Sequence, residues 1–202
     1  LYDYEGAPNP RRVRMFAAEK GMALESVQVD IRAGEQRTPS FLEKNPSGKI
    51  PVLELDDGTC IGESVAICRY LEGIQPEPNL FGADPLELAL VEMHHRRLEL
   101  VLFGQIGVSW VNGPVVTKMA GTEPNLRAKE QSDATVHAFY RRMNRELEER
   151  PFIAGERFTI SDITAVVAVD FASALVGLKP EEGLETLWRW HETISARPSA
   201  SA

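Results

Sequence analysis

Two short segments put polar residues at the starts of helices, where main-chain amides have no partner of their own. Glu63-Ser64 precedes the apolar-rich run Val65 to Leu71, and Ala7-Pro8-Asn9-Pro10 precedes Arg11 to Lys20. A helix N-terminus offers unpaired N–H groups and a partial positive charge, so each start suits an anion. Ser64 can cap its helix and reach a ligand from the same place, and a cap alone would not require the acid before it. Asn9 carries an amide NH₂ and a main-chain N–H that could both aim at an anion. Its plainer role is to cap the helix, with Pro10 at the first helical position. Ile50-Pro51 opens a strand, where a proline cannot donate to the ladder. Other reactive side chains promise little. His94 and His95 are adjacent and point about 100° apart on a helix, so they do not converge on one ion. His137 and His191 stand alone, and no metal site is expected. Cys60 and Cys68 are too few for a disulfide framework and read as buried, inert thiols. Ala7-Pro8-Asn9-Pro10 holds no sulfur, which excludes a C-x-x-C redox centre there.

The elements that position these residues follow from patterning. Leu1–Tyr4, Leu24–Ile31, Ile50–Leu55 and Thr59–Gly62 read as strands, the second alternating and rich in strand formers at Leu24, Val27 and Val29. Asn9–Lys20, Thr38–Lys44 and Ser64–Leu71 read as helices, with Gly21 ending the first and Asp57-Gly58 turning a hairpin. The order is β-α-β-α-β-β-α. A breaker-rich stretch at Gln75–Asn79 then reads as a linker. Asp84-Pro85-Leu86-Glu87 restarts the chain with a cap, a proline in the first turn and an acid three residues on. Beyond it only helical periodicity survives, with helices expected near 86–111, 125–150, 160–177 and 184–196. The division is residues 1–74, a linker at 75–85, and an all-α domain at 86–202. Thr159-Ile160-Ser161-Asp162 has the pattern of a helix cap, with Phe158 placed to staple against Ile163. Removing Asp162 should cost on the order of 1 kcal/mol or more.

The chain has 202 residues, 43% hydrophobic and 26% charged, an ordinary globular composition. Its net charge of -8 and isoelectric point near 5.1 argue against a surface dedicated to nucleic acid. No apolar run reaches the roughly 18 residues of a membrane-spanning helix. The first twenty residues lack the apolar core of a secretory signal, so a reduced, cytoplasmic setting is expected.

Three segments together resemble the glutathione transferase superfamily: GAPNPRRVR, NPSGKIPVLELDDGTCIGESVAICRYL and FIAGERFTISDITA. The resemblance implies a thioredoxin-like α/β N-terminal domain that binds glutathione and an all-α C-terminal domain. It implies that the Ile50-Pro51 bond is cis, which turns the main-chain N–H and C=O of Ile50 outward to pair with the extended tripeptide. Glu63 and Ser64 then match the pair that holds the γ-glutamyl amine and carboxylate. Lys49 and Gln36 match side chains that reach the glycyl carboxylate. Pro51, Thr159 and Asp162 take structural roles. Members of the superfamily usually place a Ser, Cys or Tyr beside the glutathione sulfur, and here Ala7 stands at the Ser or Cys position. Asn9, which matches the asparagine of a T-P-N arrangement in some bacterial relatives, is then the first candidate to stabilise the thiolate. Tyr4 is the second. Phe103, Val108 and Trp110 would line an apolar electrophile pocket, and two copies would form a homodimer, with Arg96 and Arg97 facing either solvent or the partner's acids. Asp170, on the apolar stripe of its helix, is expected to be a satisfied structural acid. The expected activity is conjugation of glutathione to an apolar electrophile, as in detoxification, without a metal. Glutathione-dependent disulfide or peroxide reduction is the alternative among enzymes. A non-catalytic transferase-like module is the alternative outside them, against which an intact Glu63-Ser64 argues.

Overall fold

The computed structural model describes residues 1–202, which form two compact units. The first comprises Leu1–Leu80 together with Arg197–Ala202, and the second comprises Phe81–Ala196. The first unit runs β1 (Tyr2–Asp3), α1 (Pro8–Glu19), β2 (Val27–Gln28), α2 (Pro39–Lys44), β3 (Leu53–Glu54), β4 (Cys60–Ile61) and α3 (Ser64–Ile74). This is the order read from the patterning, with shorter strands. β1 pairs with β2 in parallel, Tyr2 opposite Val27, and β3 pairs with β4 antiparallel, Leu53 opposite Ile61. Tyr2 and Val52 exchange main-chain hydrogen bonds of 2.8 and 3.3 Å, an antiparallel bridge that joins the two ladders in the spatial order β2-β1-β3-β4. The alternation expected along β2 is only half realised. Val29 is buried, whereas Val27 is about half exposed because β2 has a neighbour on one side only.

Val29, Phe41 and Val52 form a small core with Tyr2, Ile50 and Cys60 packed around it. Cys60 is therefore partly exposed, a correction to its reading as a buried thiol, while Cys68 is fully buried. α1 buries Val13, Met15, Phe16 and Ala17, and packs against α3, which buries Ile67, Cys68 and Leu71. Arg14 Nη1 donates to both carboxylate oxygens of Asp3, at 2.6 and 2.7 Å, and so ties α1 to β1. The Ile50-Pro51 bond is cis.

The second unit is helical throughout: α4 (Pro85–Arg97), a π-helical stretch (Leu98–Phe103), α5 (Gly104–Val111), α6 (Pro114–Ala120), α7 (Leu126–Glu146), α8 (Ile160–Phe171) with a second π stretch (Ala172–Val176), and α9 (Glu185–Ser195). Its helices fall where the periodicity put them, except α6, which is hidden in sequence between the breakers Gly113-Pro114 and Gly121. Asp84 caps α4 by accepting from the amides of Leu86 and Glu87, each at 2.9 Å. Thr159 and Asp162 form a reciprocal capping box on α8, a helix buried continuously from Ile160 to Val169. Asp162 is fully buried and takes four donors: the amides of Ile153 (2.9 Å) and Thr159 (3.0 Å), Trp190 Nε1 (3.0 Å) and Thr159 Oγ1 (3.3 Å). Burial nevertheless pushes its carboxyl up to about 6, because desolvation outweighs the bonds it accepts. Phe158, expected as a staple, meets Phe152 edge to face at 6.2 Å.

Two other readings change. His191 is not isolated, since its Nε2 lies 2.6 Å from Asp170, which makes Asp170 the satisfied acid expected. The adjacent His95 and His94 have separate partners: His95 Nε2 lies 2.9 Å from Thr164 Oγ1 and His94 Nε2 lies 3.3 Å from Arg150 Nη1. Residues 197–202, read as part of the helical domain, return to the first unit, because Arg197 forks onto Glu19 at the end of α1 with two bonds of 2.7 Å.

Candidate functional site

The first turn of α1 is unusual in what it lacks. The helix begins at Pro8 rather than at Asn9, with Ala7 in the cap position and no side-chain cap, so Asn9 is not the cap that its plainer reading made it. Two prolines remove two of the orphan amides that a helix start normally presents. The amide of Ala7 is taken by the carbonyl of Tyr4 at 3.0 Å, and that of Arg11 returns to Ala7 at 3.2 Å. Asn9 is left as the one residue of the turn whose main-chain N–H and side-chain amide have no partner within the chain. An anion at this helix end would meet both.

Tyr4 sits in different surroundings. It lines an open cleft of about 570 Å³ with Glu5, Gly6, Gln28, Asp30 and Glu35. Three carboxylates around that cleft disfavour a further negative charge beside Tyr4.

At the start of α3 the geometry is richer. Glu63 occupies the cap position with φ 61° and ψ 113°, the only non-glycine residue with positive φ. A backbone held there costs on the order of 1–3 kcal/mol, and it leaves the exposed Glu63 side chain without a hydrogen bond of its own. Ser64 is the first helical residue and does not cap, which corrects its expected local role. Its Oγ instead accepts a 2.8 Å hydrogen bond from Arg12 Nη1, a guanidinium buried on α1. An arginine can only donate, so the Ser64 hydroxyl keeps its own proton for another acceptor. The amides of Ser64, Val65 and Ala66 stay free, since the first return bond of the helix is Ile67 N–H to Glu63 C=O at 3.0 Å.

The loop before the cis bond joins these parts. Asn45 Nδ2 donates to the Lys49 carbonyl at 2.8 Å, and Asn45 Oδ1 accepts from the amide and hydroxyl of Ser47. Gly48 has φ 59° and packs so closely that a Cβ there would stand 2.7 Å from Arg37 Nη1 and 2.9 Å from the Gln36 carbonyl. This contact brings the Gln36 segment to the Lys49 loop. A Cβ on Gly62 would lie 3.5 Å from Asn45 Nδ2, which brings the same loop to the Glu63 turn. Ile50 is half-buried on the small core, with its main-chain N–H and C=O unpaired. Lys49 is exposed, while Gln36 spends its Nε2 on the Ile31 carbonyl at 3.1 Å. The first unit thus links Gln36, Lys49, Ile50, Glu63 and Ser64 through neighbouring loops, and Ser64 to the helix that carries Asn9. Sequence reasoning missed Arg12 and Asn45. The available signal for Arg12 was a charged residue among the apolar positions Val13, Phe16 and Ala17 of one helix.

In the second unit Phe103 and Trp110 both pack on Phe171, with ring centroids 6.5 and 5.6 Å apart. Val108 is half-buried one turn before Asn112, whose Nδ2 donates to its carbonyl at 2.9 Å. Trp110 also lines a cleft of about 330 Å³ with Pro114, Val115, Leu175 and Val176. A cleft of that size and lining suits a small apolar molecule.

Two family models match the chain. The model of the glutathione S-transferase N-terminal domain matches residues 7–74, and that of the C-terminal domain matches residues 110–198. Glutathione S-transferase 2 of Saccharomyces cerevisiae is 37% identical over 98% of this chain and 86% of its own length. The crystal structure of Gtt2 from the same yeast is similar at a TM-score of 0.91 and 34% identity, covering 99% of this chain and 97% of that one. A glutathione S-transferase domain-containing protein from Marinobacter aquaeolei is similar at a TM-score of 0.90 and 38% identity, covering 98% of each chain.

Proposed function

We infer that this chain, which belongs to the glutathione S-transferase family and is an enzyme of that kind, grips glutathione in its first unit and presents the thiolate from the first turn of α1. The observation that carries the residue-level reading is the set of unpaired groups on neighbouring loops: the amides at the start of α3, the main chain of Ile50, and Asn9. Ser64 and the α3 amides take the γ-glutamyl carboxylate, and Glu63 takes the γ-glutamyl amine. Ile50 pairs with the cysteinyl main chain, while Lys49 and Gln36 face the glycyl carboxylate.

Asn9 stabilises the sulfur, with Tyr4 the second choice. A free thiol ionises near 8.5, so lowering it by one unit raises the thiolate fraction at pH 7.5 from about a tenth to about a half. The thiolate attacks an electrophilic carbon, a C–S bond forms, and the leaving group departs with its electron pair. Phe103, Val108 and Trp110, with the cleft beside Trp110, support an apolar electrophile, and conjugation of this kind supports a role in detoxification.

A second copy is the natural cover for α4. Leu86, Leu90 and Met93 follow helical spacing, Leu100 and Val101 continue in the π stretch, and all five are exposed, which supports a homodimer. The low cysteine count, two in 202 residues, supports a cytoplasmic location.

One observation favours a second reading. The cap residue Ala7 offers no hydroxyl or thiol, and glutathione-dependent reduction of disulfides or peroxides needs a thiolate but no electrophile pocket. Turnover of a chloro-nitroaromatic against that of hydroxyethyl disulfide separates the two. Retention on immobilised glutathione that Glu63→Ala abolishes is the expected result for the binding site. Equal retention of wild type and variant would remove Glu63 from it.

A further inference from the structure

Helix α1 offers a bound thiolate a single turn with a single donor residue, so the aim of that turn has no redundancy. Apart from α3, Asp3 and the Pro76 and Pro78 carbonyls that accept from Lys20 Nζ at the C-cap, residues at the far end of the chain fix the helix. Residues 197–202 lie along α1 and touch three of its turns: Arg11 Nη2 donates to the Ala200 carbonyl at 3.2 Å, Arg14 Nε to the Ala202 carbonyl at 3.1 Å, and Arg197 forks onto Glu19 at 2.7 Å twice. Ser199, itself buried, donates to Glu19 as well. Glu19 ends the helix, where the dipole is negative and a carboxylate is disfavoured. Burial would also raise its carboxyl, yet the bonds from Arg197 and Ser199 hold it below the ordinary range. An acid at the wrong end of a helix, gripped by three bonds from a segment nearly 180 residues away in sequence, does little for its own helix. It anchors that helix against something else.

We propose that residues 197–202 are a strap, with Glu19 and Arg197 as positioning residues, that holds the first turn of α1 in register to stabilise the glutathione thiolate. The proposal rests on the reading that Asn9 is the thiolate's partner. Arg11, two residues after Asn9, is one of the strapped positions. Release at Glu19 lets the helix rotate about the remaining ties, and with the Arg12–Ser64 bond as the pivot Asn9 loses its aim while Ser64 and the α3 amides stay in place.

The experiment measures the ionisation of bound glutathione by its ultraviolet thiolate absorbance, and the pH profile of kcat/KM with a chloro-nitroaromatic. It compares the wild type with Asn9→Ala, Glu19→Gln, Arg197→Met and the double variant Glu19→Gln/Arg197→Met. The strap variants should move the acid limb upward by about half a unit, a loss of about threefold in kcat/KM below it. Glutathione affinity should stay within about twofold, and the double variant should be no worse than either single one, because both break the same tie. Arg197→Lys, which keeps the charge and loses the fork, should recover part of the shift and serves if Arg197→Met does not fold. A lowered melting temperature with an unmoved acid limb would reduce the strap to a stabilising contact and overturn the proposal. If Asn9→Ala itself leaves the thiolate titration unmoved, the Asn9 reading fails and the strap proposal fails with it. A shift in Asn9→Ala without one in the strap variants sinks the strap alone.

Discussion

Replacing Asp162 by alanine should remove a large part of the stability of the helical unit. The carboxylate is fully buried, and its loss strands three N–H donors, those of Ile153, Thr159 and Trp190 Nε1, in a site closed to water. Each stranded donor costs about 1–3 kcal/mol, and partial relaxation brings the sum to roughly 3–5 kcal/mol. A domain of ordinary stability holds about 5–15 kcal/mol, so at the low end of that range the variant sits near its folding threshold at 37 °C. Asp162→Asn, which keeps an acceptor and loses the charge, isolates the electrostatic part. The folded carboxyl titrates at about 6, raised by desolvation, against an unfolded value of 3.8. Between these values the folded state holds the proton more tightly than the unfolded one, so its contribution is full below about pH 4 and is lost as pH rises through 6. Two units correspond to about 3 kcal/mol. Urea unfolding followed by far-ultraviolet circular dichroism from pH 4 to 7 tests both points. Wild-type stability should fall relative to Asp162→Asn across that window. A parallel pH dependence in the two proteins, or an alanine variant within 1 kcal/mol of wild type, would refute the reasoning.

Glu63→Gly should separate fold from function, since glycine relieves a positive φ worth about 1–3 kcal/mol while deleting the group that holds the γ-glutamyl amine. The melting temperature should rise and glutathione affinity should fall tenfold or more; a variant that binds as wild type would refute the assignment. Gly48→Ala places a Cβ 2.9 Å from the Gln36 carbonyl at a φ that favours glycine. It should destabilise the first unit by about 1–3 kcal/mol in denaturant titration and weaken glutathione binding as the Lys49 loop moves away from Gln36. Met93→Glu puts a charge in the exposed apolar stripe of α4 and should convert a dimer to a monomer by size-exclusion chromatography with light scattering. An unchanged molar mass would place the interface elsewhere.

The sequence alone determined the parts of this protein that depend on local chemistry. Glycines, prolines and caps punctuate the chain, and period 2 giving way to period 3.6 separates an α/β unit from a helical one. That is why the element order, the α4 and α8 caps and the Glu63-Ser64 turn were legible. Motif spacing carried the resemblance to glutathione transferases, which the comparisons then established as family membership. The tertiary structure decided what depends on residues far apart. Arg12 meets Ser64 across 52 positions, Trp190 meets Asp162 across 28, and Arg197 meets Glu19 across 178. Side-chain partners of that kind leave no periodicity, so nothing in the sequence announced that the last six residues belong to the first unit. The start of α1 lies between the two cases. Pro8 and Pro10 were plain to read, but which of Ala7 and Asn9 would cap the helix turned on a one-residue choice of backbone conformation. With Ala7 as the cap, Asn9 falls inside the first turn as its one free donor.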